Sequence, residues 1–213
     1  MIKLQKEVIK YAKKLNSTNL SILRSGNISI RTKFKNIEGF LITPSGKKYE
    51  TLLPKEIVFV SLDGTYDEKG VKPSSEWKFH QDIYLEKKEA NAIVHAHSLY
   101  ATSLSVNGKL IPAFHYMVAL AGGHDIKCSK YATFGTRELS CNIIKALKDR
   151  RACLMSNHGQ VAYGDDLGKA FELAEEVENL CHQYSEVKKI GNPNILSKKE
   201  MISVLKKIKN YKN

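Results

Sequence analysis

The segment Asn91-Ala92-Ile93-Val94-His95-Ala96-His97-Ser98 decides how the rest of the chain is read. Its first four residues are short, apolar and β-branched at Ile93 and Val94, which is the composition of a buried strand. Leu99-Tyr100-Ala101-Thr102-Ser103-Leu104 then has the spacing of a helix face. Alternate residues of a strand point the same way, so His95 and His97 converge on one point. That geometry suits a metal, although two neighbouring histidines can also simply share a core. A metal needs one or two further ligands. Of the other histidines, His80, His115, His124, His158 and His182, the most loop-like setting belongs to His158, between Asn157 and Gly159 after the apolar Ala152-Cys153-Leu154-Met155. Three imidazoles without thiolates favour zinc or a similar divalent ion, and they leave coordination positions open for substrate as catalytic sites do.

On the N-terminal side of that strand, Ile2, Leu4, Val8, Ile9, Ala12 and Leu15 recur at helical spacing and predict a first helix ending near Asn16-Ser17-Thr18. Short strand-and-turn units follow at Ser25-Gly26-Asn27 before Ile28-Ser29-Ile30, and at Gly39-Phe40-Leu41-Ile42 running into Thr43-Pro44-Ser45-Gly46. Ile57–Val60 with Asp63-Gly64 reads as a strand and hairpin turn. Ser74 or Ser75 is expected to cap a helix carrying Trp77, His80, Ile83 and Tyr84. On the C-terminal side, helices are expected from Thr136, from about Asp166 to Lys188, and from the capping-box pattern Ser197 and Glu200. The expected architecture is α/β: a central, mostly antiparallel sheet flanked by helices on both sides, with residues 1–213 forming a single domain.

Composition limits the alternatives. With 213 residues, 42% hydrophobic and 26% charged, the chain can bury a full core. The net charge of +12 suits an anionic partner, but the basic residues are scattered or gathered at the ends, without aromatic residues interleaved on a nucleic-acid motif. Neither nucleic acid nor a membrane is therefore an expected partner. Cys128, Cys141, Cys153 and Cys181 show no C-x-x-C spacing and read as reduced thiols. No hydrophobic leader or membrane-length apolar run is present, so a cytoplasmic location is expected.

Several turns add chemistry to the histidines. A helix start exposes unpaired N–H groups and a positive dipole end, which makes Ser74-Ser75 a candidate anion site with Glu76 beside it as the carboxylate for proton chemistry. Gly26-Asn27 and Ser45-Gly46 offer backbone N–H groups, an amide and a hydroxyl, enough to bind a phosphate without any Lys or Arg. His80 lies one turn after Glu76, where it is either a packed histidine or part of a Glu-x-x-x-His metal pair.

Together, Ser25-Gly26-Asn27-Ile28-Ser29, Ile42-Thr43-Pro44-Ser45-Gly46, Pro73-Ser74-Ser75-Glu76-Trp77, His95-Ala96-His97 and Asn157-His158-Gly159 resemble, in order, the motifs of the class II aldolase/adducin family. Ile111–Met117 and Tyr131–Ser140 resemble its L-fuculose-1-phosphate aldolase branch in particular, and the likeness spans essentially the whole chain. The resemblance implies a zinc-dependent, homotetrameric aldehyde-lyase that reversibly cleaves L-fuculose 1-phosphate, or a close ketose 1-phosphate, to dihydroxyacetone phosphate and L-lactaldehyde. It also implies a metal held by Glu76, His95, His97 and His158, with Glu76 acting as the base. Gly26, Asn27, Ser45, Gly46, Ser74 and Ser75 would cradle the phosphate. Tyr116 would reach in from a neighbouring subunit as the acid, with Phe134 and Tyr211 shaping the aldehyde side. The alternatives are a sugar-phosphate epimerase or dehydratase of the same fold, or a non-catalytic adducin-like interaction module. Glu76 argues against the epimerase, which is expected to carry Asp there.

Overall fold

The computed structural model describes residues 1–211, with Tyr211 described by its backbone alone. Its centre is a sheet made of β1 (Asn27–Phe34), β2 (Ile37–Ile42), β3 (Val58–Ser61), β4 (Ala92–Ala96), β5 (Cys128–Ser129), β6 (Ala152–Met155) and β7 (Gly159–Gly164). The spatial order is β3-β2-β1-β4-β7-β6-β5. Every neighbouring pair is antiparallel except β5 with β6. The helices are α1 (Ile2–Ser17), α2 (Trp77–Glu86), α3 (Leu99–Ser105), α4 (Arg137–Ala146), α5 (Leu167–Ile190) and α6 (Lys198–Tyr211).

Helices cover both faces, which is why the central strands read as continuous apolar runs rather than alternating ones. Ala92, Val94 and Ala96 of β4 join the core under α1 and α5, where they meet residues such as Ala12 and Phe171. Ile93 joins the opposite core, under Phe79 and Ile83 of α2 and Ile143 of α4. Burying each such large side chain stabilises the fold by about 1.5–3 kcal/mol. The register places Asn27 opposite His95 and Ser29 opposite Ile93, so Asn27, Ser29 and His95 all face α2.

Two local expectations change. The cap of α2 is Glu76 rather than Ser74 or Ser75, because the backbone N–H of Trp77 already turns back onto the Ser74 carbonyl (3.1 Å). Asp63-Gly64 does not close a hairpin between two strands. The Asp63 carboxylate accepts from the Thr65 N–H (2.9 Å) in an Asx-type turn, and β3 pairs with β2 alone as an edge of the sheet. Among the described residues no helix is long and apolar enough to cross a membrane. The four cysteines are free thiols, as expected.

Candidate metal centre and phosphate cradle

Glu76, His95, His97 and His158 each turn one donor atom inward, and the four atoms lie within 4.8 Å of one another. The Nε2 atoms of His95 and His97 are 2.9 Å apart. Glu76 Oε2 lies 3.1 Å from His95 Nε2, and Oε1 lies 3.1 Å from His158 Nε2. The imidazole planes meet at 70°, 81° and 89°, so their edges rather than their faces converge.

The strand and its neighbours impose this arrangement. His95 sits next to the end of β4 and donates its Nδ1–H to the Gln160 carbonyl on β7 (2.8 Å), which turns Nε2 into the cluster. His97 follows the last residue of β4, and its backbone N–H donates to Ser21 Oγ (3.0 Å). The Glu178 carboxylate of α5 accepts from the N–H groups of Tyr100 and Ala101 (2.8 Å each), anchoring the start of α3 directly after the histidines. His158 rides on a tight turn in which Asn157 adopts a left-handed φ of +55°.

The donor set fits a divalent cation. Three imidazole nitrogens and one carboxylate oxygen are the composition of a zinc-type site, and Glu76 Oε1 is buried without a hydrogen bond of its own. Burial pushes the Glu76 carboxyl pKa up, but the imidazoles of His95 and His158 outweigh it and hold the group ionised, well below the usual carboxylate range. Desolvation, reinforced by His95 and His158, lowers His97 to about 3 and keeps it an uncharged ligand at neutral pH.

Beside the cluster opens a pocket of about 420 Å³. All six residues expected for the phosphate line it: Gly26, Asn27, Ser45, Gly46, Ser74 and Ser75. Its loops are tied together by backbone bonds from Ser45 N to Lys72 O (3.1 Å) and from Ser74 N to Thr43 O (3.0 Å). Ser74 Oγ accepts from Asn27 Nδ2 (3.1 Å) and from the Glu76 N–H (3.3 Å), so its own O–H is left to donate into the pocket. Gly26 is required where it stands. Its φ is +76°, and a Cβ there would lie 2.6 Å from both the His95 carbonyl and Ser21 Oγ.

Phe134 lines the same pocket. Tyr116 does not: it is half exposed and borders a separate groove with Phe114, Leu196 and Val204. The side chain of Tyr211 lies outside the described residues. His80 is no member of the metal cluster and is wholly buried, bonded to Ser29 and Asn27. Arg24, Tyr49 and Tyr131 also line the pocket and were not among the expected site residues. Tyr131 belongs to the Tyr131–Ser140 segment, whereas Arg24 brings a cation to the edge of a pocket whose expected phosphate donors were all uncharged. Its guanidinium donates from Nη1 to the Gly46 carbonyl (2.8 Å), bridging two cradle loops that lie 22 positions apart.

Comparison with known proteins agrees with this architecture. Residues 6–185 match the family model described as Class II Aldolase and Adducin N-terminal domain. The chain is 44% identical to the 5-methylthioribulose-1-phosphate/5-deoxyribulose-1-phosphate aldolase of Rhodospirillum rubrum, over 99% of this chain and 93% of that protein. It is 43% identical to the L-fuculose phosphate aldolase of Escherichia coli, over 98% of this chain and 95% of that one. A solved L-fuculose 1-phosphate aldolase superposes with a TM-score of 0.91 at 39% identity, covering 97% of this chain and 96% of its own.

Proposed function

Given that the chain belongs to the class II aldolase and adducin family and is a class II aldolase, we propose that it reversibly cleaves L-fuculose 1-phosphate, or a close ketose 1-phosphate, to dihydroxyacetone phosphate and an aldehyde. The observation that carries this reading is one carboxylate and three imidazoles converging within 4.8 Å beside a pocket lined by Ser, Asn and Gly loops. His95, His97 and His158 would hold a zinc ion, with Glu76 as an exchangeable fourth ligand. When bound, it supplies Lewis-acid polarisation of the substrate ketone.

The protein's own groups then divide the work. Gly26, Asn27, Ser45, Gly46, Ser74 and Ser75 hold the phosphate, joined by Arg24. In the cleavage direction, Tyr116 takes the proton of the C4 hydroxyl as the C3–C4 bond breaks, and Glu76 delivers a proton to C3. In the synthetic direction Glu76 removes that carbon-bound proton, and Tyr116 protonates the aldehyde oxygen. The half-exposed position of Tyr116, outside its own chain's pocket, supports a homotetramer in which a neighbouring copy supplies it. Phe134 and Tyr211 border the aldehyde end.

The substrate is tested by incubating the metal-loaded protein with dihydroxyacetone phosphate and a panel of aldehydes. The expected preferred acceptor is L-lactaldehyde, giving L-fuculose 1-phosphate. A second reading is favoured by the Rhodospirillum rubrum relative, whose name specifies ketoses that differ at C5. Preference for acetaldehyde or methylthioacetaldehyde would establish that alternative. Condensation with none of the three would defeat both.

The cradle makes a separate prediction. Charge-assisted hydrogen bonds contribute about 1.5–3 kcal/mol, and 1.4 kcal/mol corresponds to roughly a tenfold change in binding. Arg24→Gln and Ser75→Ala should therefore each raise the KM for the ketose phosphate by about tenfold, with kcat little changed. Steady-state kinetics with an unaltered KM in both variants would place the phosphate elsewhere.

A further inference from the structure

The proton steps give no role to Tyr84, Ser29 and His80, three buried polar side chains that adjoin Asn27, each 0% exposed. They form a chain that ends at the reacting carboxylate. Tyr84 OH lies 2.7 Å from Ser29 Oγ, and Ser29 Oγ lies 2.7 Å from His80 Nδ1. His80 Nε2 lies 2.5 Å from Asn27 Oδ1, and Asn27 Nδ2 lies 3.0 Å from Glu76 Oε2 and 3.1 Å from Ser74 Oγ.

Each hydrogen in this chain has one consistent placement. A carboxylate only accepts, so the Asn27 NH2 group must face Glu76 and its carbonyl must face His80. A carbonyl also only accepts, so His80 Nε2 carries a hydrogen. With the ring neutral, Nδ1 is bare, Ser29 donates its O–H to it, and Tyr84 donates to Ser29. No water is needed to complete the sequence, and none of its four side chains, Asn27 included, is more than 1% exposed.

We propose that His80 is a positioning residue: by donating its Nε2–H to Asn27, it fixes the orientation of the amide that holds both the Glu76 carboxylate and the Ser74 hydroxyl. A flipped Asn27 would set its carbonyl against Glu76, two buried acceptors about 3 Å apart with no proton between them. His80 blocks that flip. One amide thereby sets the base and a phosphate contact together, and Ser29 and Tyr84 hold the imidazole in the tautomer that does so. The inference rests on the aldolase reading for the consequences at Glu76 and Ser74, but not for the hydrogen placement itself.

Two measurements test it. In intact, zinc-loaded protein carrying 15N-labelled histidine, the His80 resonances, assigned by their absence in His80→Gln, should show a protonated Nε2 and a bare Nδ1. That pattern should persist between about pH 5 and 9, far above a pKa pushed by burial down to about 3. An Nδ1–H tautomer or an imidazolium would overturn the proposal, whatever reaction the protein catalyses.

The second measurement is kinetic. His80→Gln keeps an N–H donor near the Nε2 position, whereas His80→Leu removes it. At equal metal content, His80→Leu should lower kcat/KM for the ketose phosphate by roughly 10–100-fold, the usual cost of losing a partner one step behind the reacting groups. His80→Gln should stay within about threefold of the unaltered protein. Equal losses in both variants would overturn the positioning role. If His80→Leu does not fold, the tautomer measurement decides alone. An unaltered protein that cleaves no ketose phosphate would refute the aldolase reading separately, leaving the 15N result to judge the chain of hydrogen bonds.

Discussion

Replacing Glu76 by glutamine should lower ketose 1-phosphate cleavage by about 10²–10⁴-fold, the size of a lost general base. It should equally suppress solvent hydrogen exchange into dihydroxyacetone phosphate. The substitution is nearly isosteric, and the new side-chain carbonyl can still accept from Asn27 Nδ2, now 3.0 Å from Oε2. The fold and the three histidines therefore stay in place, while the proton-transfer group and the anionic fourth donor of the cluster are lost. Tyr116→Phe should slow carbon–carbon bond making by about a hundredfold or more while exchange continues. If a neighbouring copy supplies Tyr116, co-assembling the two weak variants in equal amounts should restore about a quarter of the sites, since each site then draws its two groups from different chains. Exchange that survives in Glu76→Gln, or no recovery on co-assembly, would show that the division of labour is wrong.

The second large effect concerns the metal. Each of His95→Ala, His97→Ala and His158→Ala removes one of three nitrogen donors. The loss of affinity should exceed the roughly 10–100-fold that follows loss of an outer-shell partner. After dialysis, elemental analysis should find each variant largely stripped of zinc, with circular dichroism unchanged. His95→Ala should also lower the melting temperature most, because it frees the buried Gln160 carbonyl that accepts from Nδ1 and removes a fully buried ring. A full zinc complement in all three variants would remove the metal assignment.

The His-x-His strand, the long C-terminal helices and the glycine turns were legible in the sequence because each depends on local spacing. What was hidden depends on register. Nothing in Gly159-Gln160-Val161-Ala162-Tyr163-Gly164 signals its strand strongly, since two glycines and a glutamine dilute the apolar pattern. Yet β7 supplies the carbonyl that orients His95. Arg24 is one more exposed basic residue in a strongly cationic chain until the fold sets it over Gly46. His80 could be read from sequence as packed or metal-binding, and only the pairing of Asn27 with His95 decides that it faces Asn27. Tyr116 was assigned by resemblance alone, and in its own chain it lies outside the pocket.

The contact between Gly26 and the His95 carbonyl makes the pocket a ruler. The loop that would grip the phosphate abuts the strand that would grip the metal, and Asn27 is paired across from His95. The gap between the two grips is thus fixed by backbone and cannot stretch to suit a longer or shorter donor. On the proposed function, the three-carbon phosphorylated half of a substrate would be measured rigidly. The other half would reach the mouth of the pocket, where the rings of Tyr131 and Phe134 are exposed. Selection for a new sugar would then act on those rings and leave the measured half untouched, which is the pattern expected of relatives whose named substrates share a ketose 1-phosphate and differ at the far end.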